Sequence, residues 1–414
     1  MSMIDSRLCE MAAPSRRALL SGAGALFAWA HAPRIASAAG ARDPRFVVII
    51  LRGALDGLSA VGPVGDPDYA GLHGDIALSL SGPDAARPLD SFFALNPGMP
   101  TFHRLFGARQ AAIVHAVATP YRERSHFDGQ DVLESGLPGV GRATSGWLNR
   151  ALAALPSGQP VRSRGGLGVG IATPLVLRGP APVVGWAPQA LQPAGEDLGR
   201  RMLDLYRHTD PALAEALARG LDIDKLASRE MNGEKGVRGG MDSVPGMAQA
   251  ARGAARLLAA PDGPRVAALA FDGWDTHANE GGPRGRLAQL LSGLDGAFGE
   301  FEKGLGDKWR DTFIVAVTEF GRTARINGTT GTDHGTGTVA FLAGGAVAGG
   351  RVIADWPGLR NEQLWQNRDL RPTTDLRAVL KGALADHLGL SATALSGGVF
   401  PDSSAVKPMA GLVV

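Results

Sequence analysis

Residues 312–343 read TFIVAVTEFGRTARINGTTGTDHGTGTVAFLA. The run from Thr312 to Val317 is apolar and β-branched, the pattern of a buried strand. Val339 to Ala343 forms a second such run. Between them stand Glu319, Arg322, Arg325, Asn327, Asp333 and His334, separated by glycines that tolerate close backbone approach. Open α/β sheets bind ligands past the carboxyl ends of their strands, where these groups fall. Taken alone, the stretch also fits a solvated surface loop.

Three further polar clusters follow apolar runs in the same way. Arg45 to Leu51 reads as a central parallel strand, and Asp56-Gly57 follows it as either a ligand or a turn. Ala111 to Val117 is another buried run, followed by Tyr121-Arg122-Glu123-Arg124-Ser125-His126-Phe127-Asp128. Ser125 there reads first as a helix cap and second as a nucleophile exposed to an anion. Val266 to Phe271 precedes Asp275 and His277, which two-residue spacing keeps off one helix face. In a loop the two can converge on one cation, their oxygen and nitrogen suiting Zn, Mn or Fe. Parallel strands gather their carboxyl ends on one edge, so the four clusters can share a cleft. They hold His126, His277 and His334, whereas histidines 73, 103, 115, 208 and 387 lack a comparable acid-rich setting.

Composition excludes several classes. The 414 residues carry a net charge of +2 without a basic run past the leader and with few aromatics, which argues against nucleic acid. With 58 Gly and 27 Pro, loops are abundant and a helical bundle is disfavoured. The single cysteine, Cys9, lies in the leader, so a thiol or cluster chemistry is not expected after it. No G-x-G-x-x-G follows the first strand, which argues against a dinucleotide enzyme. Arg16-Arg17, a mildly apolar run from Ala18 to Ala30 and Ala36-Ser37-Ala38 resemble a twin-arginine export signal over residues 1–38. That implies a periplasmic or secreted protein that engages the twin-arginine machinery, and no later run is long enough for a stable membrane span. Residues 39–414 then form one domain, with a Gly- and Pro-rich insertion or cap at about 156–245.

The segments LRGALDGLSA, RSHFDGQDVLESG, GWLNRAL, FDGWDTHAN, TEFGRT, GTDHGTGT, AGGAVAGGRV and PTTDLRAVL together resemble the exported bacterial family called domain of unknown function 1501. The family is grouped with alkaline phosphatases and sulfatases. The resemblance implies an α/β fold, an alkaline-phosphatase-like three-layer sandwich with a mostly parallel central sheet. It implies a small-molecule phosphate or sulfate ester as substrate and a divalent metal ion, Zn, Mn, Mg or Ca. On it, Asp56, Asp275, His277, Glu319, Asp333 and His334 become metal ligands. Ser125, His126 and Arg322 become catalytic groups, with Ser125 or a metal-bound water as nucleophile and Arg322 or Arg124 clamping the oxyanion. Two departures stand out. Phe320 occupies a place where a ligating His or Asn is expected, and Ser125-His126 lacks the Cys/Ser-x-Pro-x-Arg setting of sulfatases. They motivate an alternative, a non-catalytic secreted binding or assembly protein that keeps the fold.

Overall fold

The computed structural model describes residues 42–414 except 142, 157–158, 189–195 and 232–239. The expected export signal therefore lies outside the described residues. The core is a mixed, mostly parallel nine-stranded sheet. Its strands are β1 (Arg45–Leu51), β2 (Ala111–Ala118), β3 (Gly166–Val169), β4 (Val183–Trp186), β5 (Val266–Phe271), β6 (Thr312–Val317), β7 (Thr338–Ala343), β8 (Arg351–Ile353) and β9 (Thr374–Asp375). They run in the order β8-β2-β7-β6-β1-β5-β3-β4, with β9 on β2. The pairs flanking β1 are parallel, Val48 lying beside Ala268 on one side and Val315 on the other.

β1 is buried along its whole length, as a strand covered on both faces must be. Val47, Ile49 and Leu51 face one core with α2 (Pro100–Gly107), α7 (Val244–Ala259) and α8 (Arg286–Leu305). Phe46, Val48 and Ile50 face the other with α4 (Trp147–Ala154) and α9 (Leu376–Leu388). Helices on both faces of a mostly parallel sheet make three layers. Short α1 (Gly57–Ala60) and α3 (His126–Ser135) start at the carboxyl edge, while α5 (Glu196–Thr209) and α6 (Pro211–Met231) follow β4.

Two features add to the sequence reading. β7 runs antiparallel to both β6 and β2, so the chain leaves β6 and re-enters the sheet on the same edge. Segment 156–245, expected as an insertion or cap, supplies β3 and β4 to the main sheet. Within it, Leu175–Leu177 forms a short 3-10 turn. Among the described residues, no helix is long and apolar enough to cross a membrane.

Candidate metal centre

The return through β7 places both ends of the 318–337 loop on the carboxyl edge. The loop is fastened to the segment that follows β5. Asn327 Nδ2 and Thr329 Oγ1 donate to the His277 carbonyl at 2.9 and 2.8 Å. The Asn279 and Glu280 amides donate to the Thr329 and Thr330 carbonyls. Two glycines permit the closeness: a Cβ on Gly331 would lie 2.4 Å from the His277 carbonyl oxygen, and one on Gly335 would lie 2.3 Å from Arg322.

This arrangement gathers side chains from three segments. One ligand atom each of His126, Asp275 and His334 lies within 4.8 Å of the others. His126 Nε2 is 3.4 Å from Asp275 Oδ2, and His334 Nε2 is 3.3 Å from Asp275 Oδ1. His277 Nε2 approaches two of the three, at 3.0 Å from His334 Nε2 and 3.1 Å from Asp275 Oδ1.

Each imidazole is held by its other nitrogen. His126 Nδ1 donates to Glu319 Oε1 at 2.8 Å, His277 Nδ1 to Asp333 Oδ1 at 3.2 Å and His334 Nδ1 to the Arg124 carbonyl at 2.8 Å. An anchored Nδ1–H leaves an Nε2 lone pair free, and second-sphere partners hold metal-ligating histidines in this way. The anchors leave Nε2 lone pairs of His277 and His334 facing each other, a contact that a shared proton or a cation relieves. His126 Nε2 is buried and has no hydrogen-bond partner. A buried imidazole nitrogen without a partner is costly, and a cation would satisfy it. The donor set therefore fits a metal ion.

Charges are tuned to match. The hydrogen bond to Glu319 is the largest influence on His126 and raises its pKa, against burial. Burial lowers that of His334. Burial would raise Asp275, but the hydrogen bond and charge of Arg322, with His277 and His126, hold it below the usual carboxylate value.

Several expected ligands and catalytic groups have other positions. Glu319 is fully buried and surrounded by donors: Gly53 N at 2.9 Å, Thr318 Oγ1 at 2.9 Å, Gln130 Nε2 at 3.3 Å and His126. It stands behind His126 as an orienting carboxylate. Asp333 does the same for His277, and its Oδ1 also accepts from Asn327 at 3.2 Å. His126, expected as a catalytic group, lies with Nε2 3.4 Å from Asp275 Oδ2. The buried Arg322 guanidinium donates to Asp275 Oδ1 at 2.6 Å, to Thr332 Oγ1 at 3.2 Å and to the Thr332 carbonyl, which engages it inside the protein. Arg124 is similarly engaged, by Asp369 and Gln366. Ser125 occupies the N-cap position of α3, yet its hydroxyl caps no amide there.

Asp56 lies in a separate buried group. Its Oδ1 caps α1 through the Leu58 and Ser59 amides, and its Oδ2 is 3.1 Å from His73 Nε2. His73 has acceptors on both nitrogens, with Ser59 Oγ at 2.8 Å from Nε2 and the Ala324 carbonyl at 3.0 Å from Nδ1. Phe320 replaces the expected ligand with an apolar floor. Its ring stacks on His126 with centroids 5.1 Å apart and lies 5.4 Å from His334.

A family described as "Protein of unknown function (DUF1501)" matches residues 107–398. The chain belongs to this family. Its matched region includes His126, Asp275, His277 and His334 but not Asp56. No curated protein matches the chain. Among solved structures, the chain is similar to Ps i-CgsB in complex with k-i-k-neocarrahexaose, at 11% identity and TM-score 0.43 over 88% of this chain and 74% of that one. It is similar to the phosphonate monoester hydrolase of Agrobacterium radiobacter at 13% identity and TM-score 0.35, over 84% and 74%. It is also similar to a protein in the alkaline phosphatase superfamily from Vibrio parahaemolyticus at 12% identity and TM-score 0.30, over 73% and 60%. None of these structures lends a residue role to this DUF1501 chain.

Proposed function

We propose that this chain is an exported, metal-dependent hydrolase of phosphate or sulfate esters. The observation that carries the metal reading is the convergence of His126 Nε2, Asp275 and His334 Nε2, with each histidine's Nδ1 anchored. Two imidazoles and a carboxylate, with His277 adjacent, suit Zn or Mn better than Mg or Ca. When bound, such an ion supplies positive charge to polarise the ester and stabilise the leaving oxygen. The protein's own contribution is to hold the ligands: Glu319, Asp333 and the Arg124 carbonyl orient imidazoles, and Arg322 keeps Asp275 ionised. Ser125, with a hydroxyl free of capping and next to His126 in the chain, or a water at the site, is the nucleophile. The ester class follows from the resemblance to the phosphatase and sulfatase superfamily. Export follows from Arg16-Arg17 and the leader behind them.

The test is metal content, zinc-dependent melting and turnover of arylphosphates and arylsulfates by protein purified with zinc or manganese present. A protein that neither retains nor binds a cation, and melts identically after Asp275→Ala, defeats the reading. Export is checked by fractionating cells that express Arg16→Lys/Arg17→Lys, which should hold the protein in the cytoplasm. The non-catalytic alternative has its own support: Arg322 and Arg124 are both engaged inside the protein, leaving neither to grip an oxyanion. Cation binding with no turnover on either ester panel would favour it.

A further inference from the structure

His334 differs from the other two imidazoles in its anchor. Carboxylates hold His126 and His277, whereas a backbone carbonyl, that of Arg124, holds His334. Arg124 has φ +62°, in the left-handed region that non-glycine residues seldom occupy. Strain of this kind persists only where surroundings impose it. The imposing contacts come from the turn at 365–369. Arg124 Nε and Nη2 both donate to Asp369 Oδ2, at 2.9 and 2.7 Å, and Nη2 also donates to Gln366 Oε1 at 2.6 Å. The same turn reaches His334 from the other side, because Arg368 Nη2 donates to the His334 carbonyl.

Asp369 itself is immobilised. It is fully buried, and its backbone pairs with Thr323 and Trp365. Thr323 immediately follows Arg322, so the turn is fastened to the loop that carries both Arg322 and His334. Gln366 and Asn367 hold positive φ of 54° and 55°, which gives the turn a tight reversal. One buried carboxylate oxygen, Asp369 Oδ2, accepts from two nitrogens of the guanidinium, a charge-assisted contact that holds the arginine in place.

We propose that Asp369 is a positioning residue for the metal centre: it locks the Arg124 backbone so that the Arg124 carbonyl aims His334 Nε2 at the cation. The inference rests on the metal reading above. It assigns a role to a turn that contributes no ligand and is separated from His334 in the chain by β7 and β8.

The experiment is zinc affinity of the full chain, by competition with a chromophoric chelator, and the visible spectrum of the cobalt-substituted protein. Wild type, His334→Ala, Asp369→Asn and Arg124→Gly are compared. Arg124→Gly keeps the carbonyl and suits the positive φ but removes the side-chain grip, so it tests positioning even if Asp369→Asn folds poorly. The expected result is a loss of about 10- to 100-fold in zinc affinity for both variants, the range for second-sphere partners. A changed cobalt spectrum should accompany it, which a merely structural role would not produce. If wild type binds zinc and His334→Ala loses it, yet Arg124→Gly binds zinc within threefold of wild type with an unchanged cobalt spectrum, the positioning role is overturned while the metal centre stands. If wild type binds no zinc, or His334→Ala binds it as well as wild type, the metal reading itself fails.

Discussion

Among the described residues, two groups of acids and histidines invite comparison. One holds His126, Asp275 and His334, with His277 alongside; the other holds Asp56, His73 and Glu280. Their residue types are nearly the same and their chemistry is not. In the first, Asp275 is 41% exposed at its side chain, and His126 Nε2 has no partner. In the second, all three residues are buried, and both nitrogens of His73 face acceptors. Burial raises Glu280 well above the ordinary glutamic acid value, with the Asp56 charge adding to it. What distinguishes the two is access and the kind of atom left over: the sealed group leaves only carboxylate oxygens, Asp56 Oδ2 and Glu280 Oε1, without a hydrogen bond, whereas the part-exposed group leaves an imidazole nitrogen. A cluster sealed in the core stabilises the fold, whereas a part-exposed one with an unpartnered imidazole nitrogen can take a ligand.

The sharpest way to break the contrast is to remove one histidine from each group. His73→Ala should destabilise the protein by about 3–5 kcal/mol, because it leaves Asp56 as an uncompensated buried charge. Zinc affinity of the folded fraction should stay within threefold. Chemical denaturation with a zinc titration reads both quantities. His126→Ala should reverse the pattern. Zinc affinity should fall by more than about 100-fold, beyond the range for second-sphere partners, while urea stability without zinc changes by less than about 1 kcal/mol. Equal effects on both readouts in both variants would erase the distinction.

A finer cut separates ligand from orienting group. Glu319→Gln should lower zinc affinity by about 10- to 100-fold and cost about 1–3 kcal/mol of stability, since an amide cannot accept from every donor around Glu319. Isothermal titration and thermal melting check it. If Glu319→Gln abolished binding as completely as His126→Ala, Glu319 would be a ligand after all.

pH gives the smallest and most specific handle. Burial opposes the charged form of Asp56, but the charge and hydrogen bond of His73 lower its pKa from 3.8 to about 2. Burial likewise opposes protonated His73, yet Asp56 raises its pKa above 6.5. The Asp56 contribution is therefore present above pH 3.8 and lost as pH falls toward about 2. That of His73 is complete below pH 6.5 and lost as pH rises through its higher folded value. His73→Gln should flatten the alkaline limb of the stability profile by about 1.4 kcal/mol per unit of raised pKa. Urea midpoints from pH 5 to 9 measure it, and an unchanged slope would mean that His73 folds neutral.

The fold was largely legible because its strands are apolar runs and its clusters follow them. Arg45 to Leu51 is central with parallel neighbours on both sides, and Thr312 to Val317 is the buried strand its apolar run predicts. The reversal of β7 was not legible, since a buried strand carries no mark of direction. Of the site, Asp275 and His334 could be picked out by chemistry and position. Glu319 and Asp333 drew attention for the same reasons, but which acid faces the centre and which stands behind a histidine depends on side-chain direction, and spacing does not encode that. His73 looked isolated in sequence and is paired in space. Asp369 lay in a polar turn with nothing local to set it apart. Phe320 was noticed for the ligand it displaces, and its stacking on His126 became visible only in three dimensions.

The positions of the three clustered groups have a mechanical consequence. His126, Asp275 and His334 come from segments far apart in a chain with a single cysteine. A cation held by all three would tie those segments together as a covalent crosslink does, closing loops of about 150 and about 60 residues. Such a tie exists only while β2, β5 and β7 keep their places in one sheet. Occupancy of the centre would then stabilise the folded chain by mass action, in proportion to the logarithm of free cation over dissociation constant. The ion would act as a removable brace across the sheet, and its loss would loosen the molecule as well as empty the site.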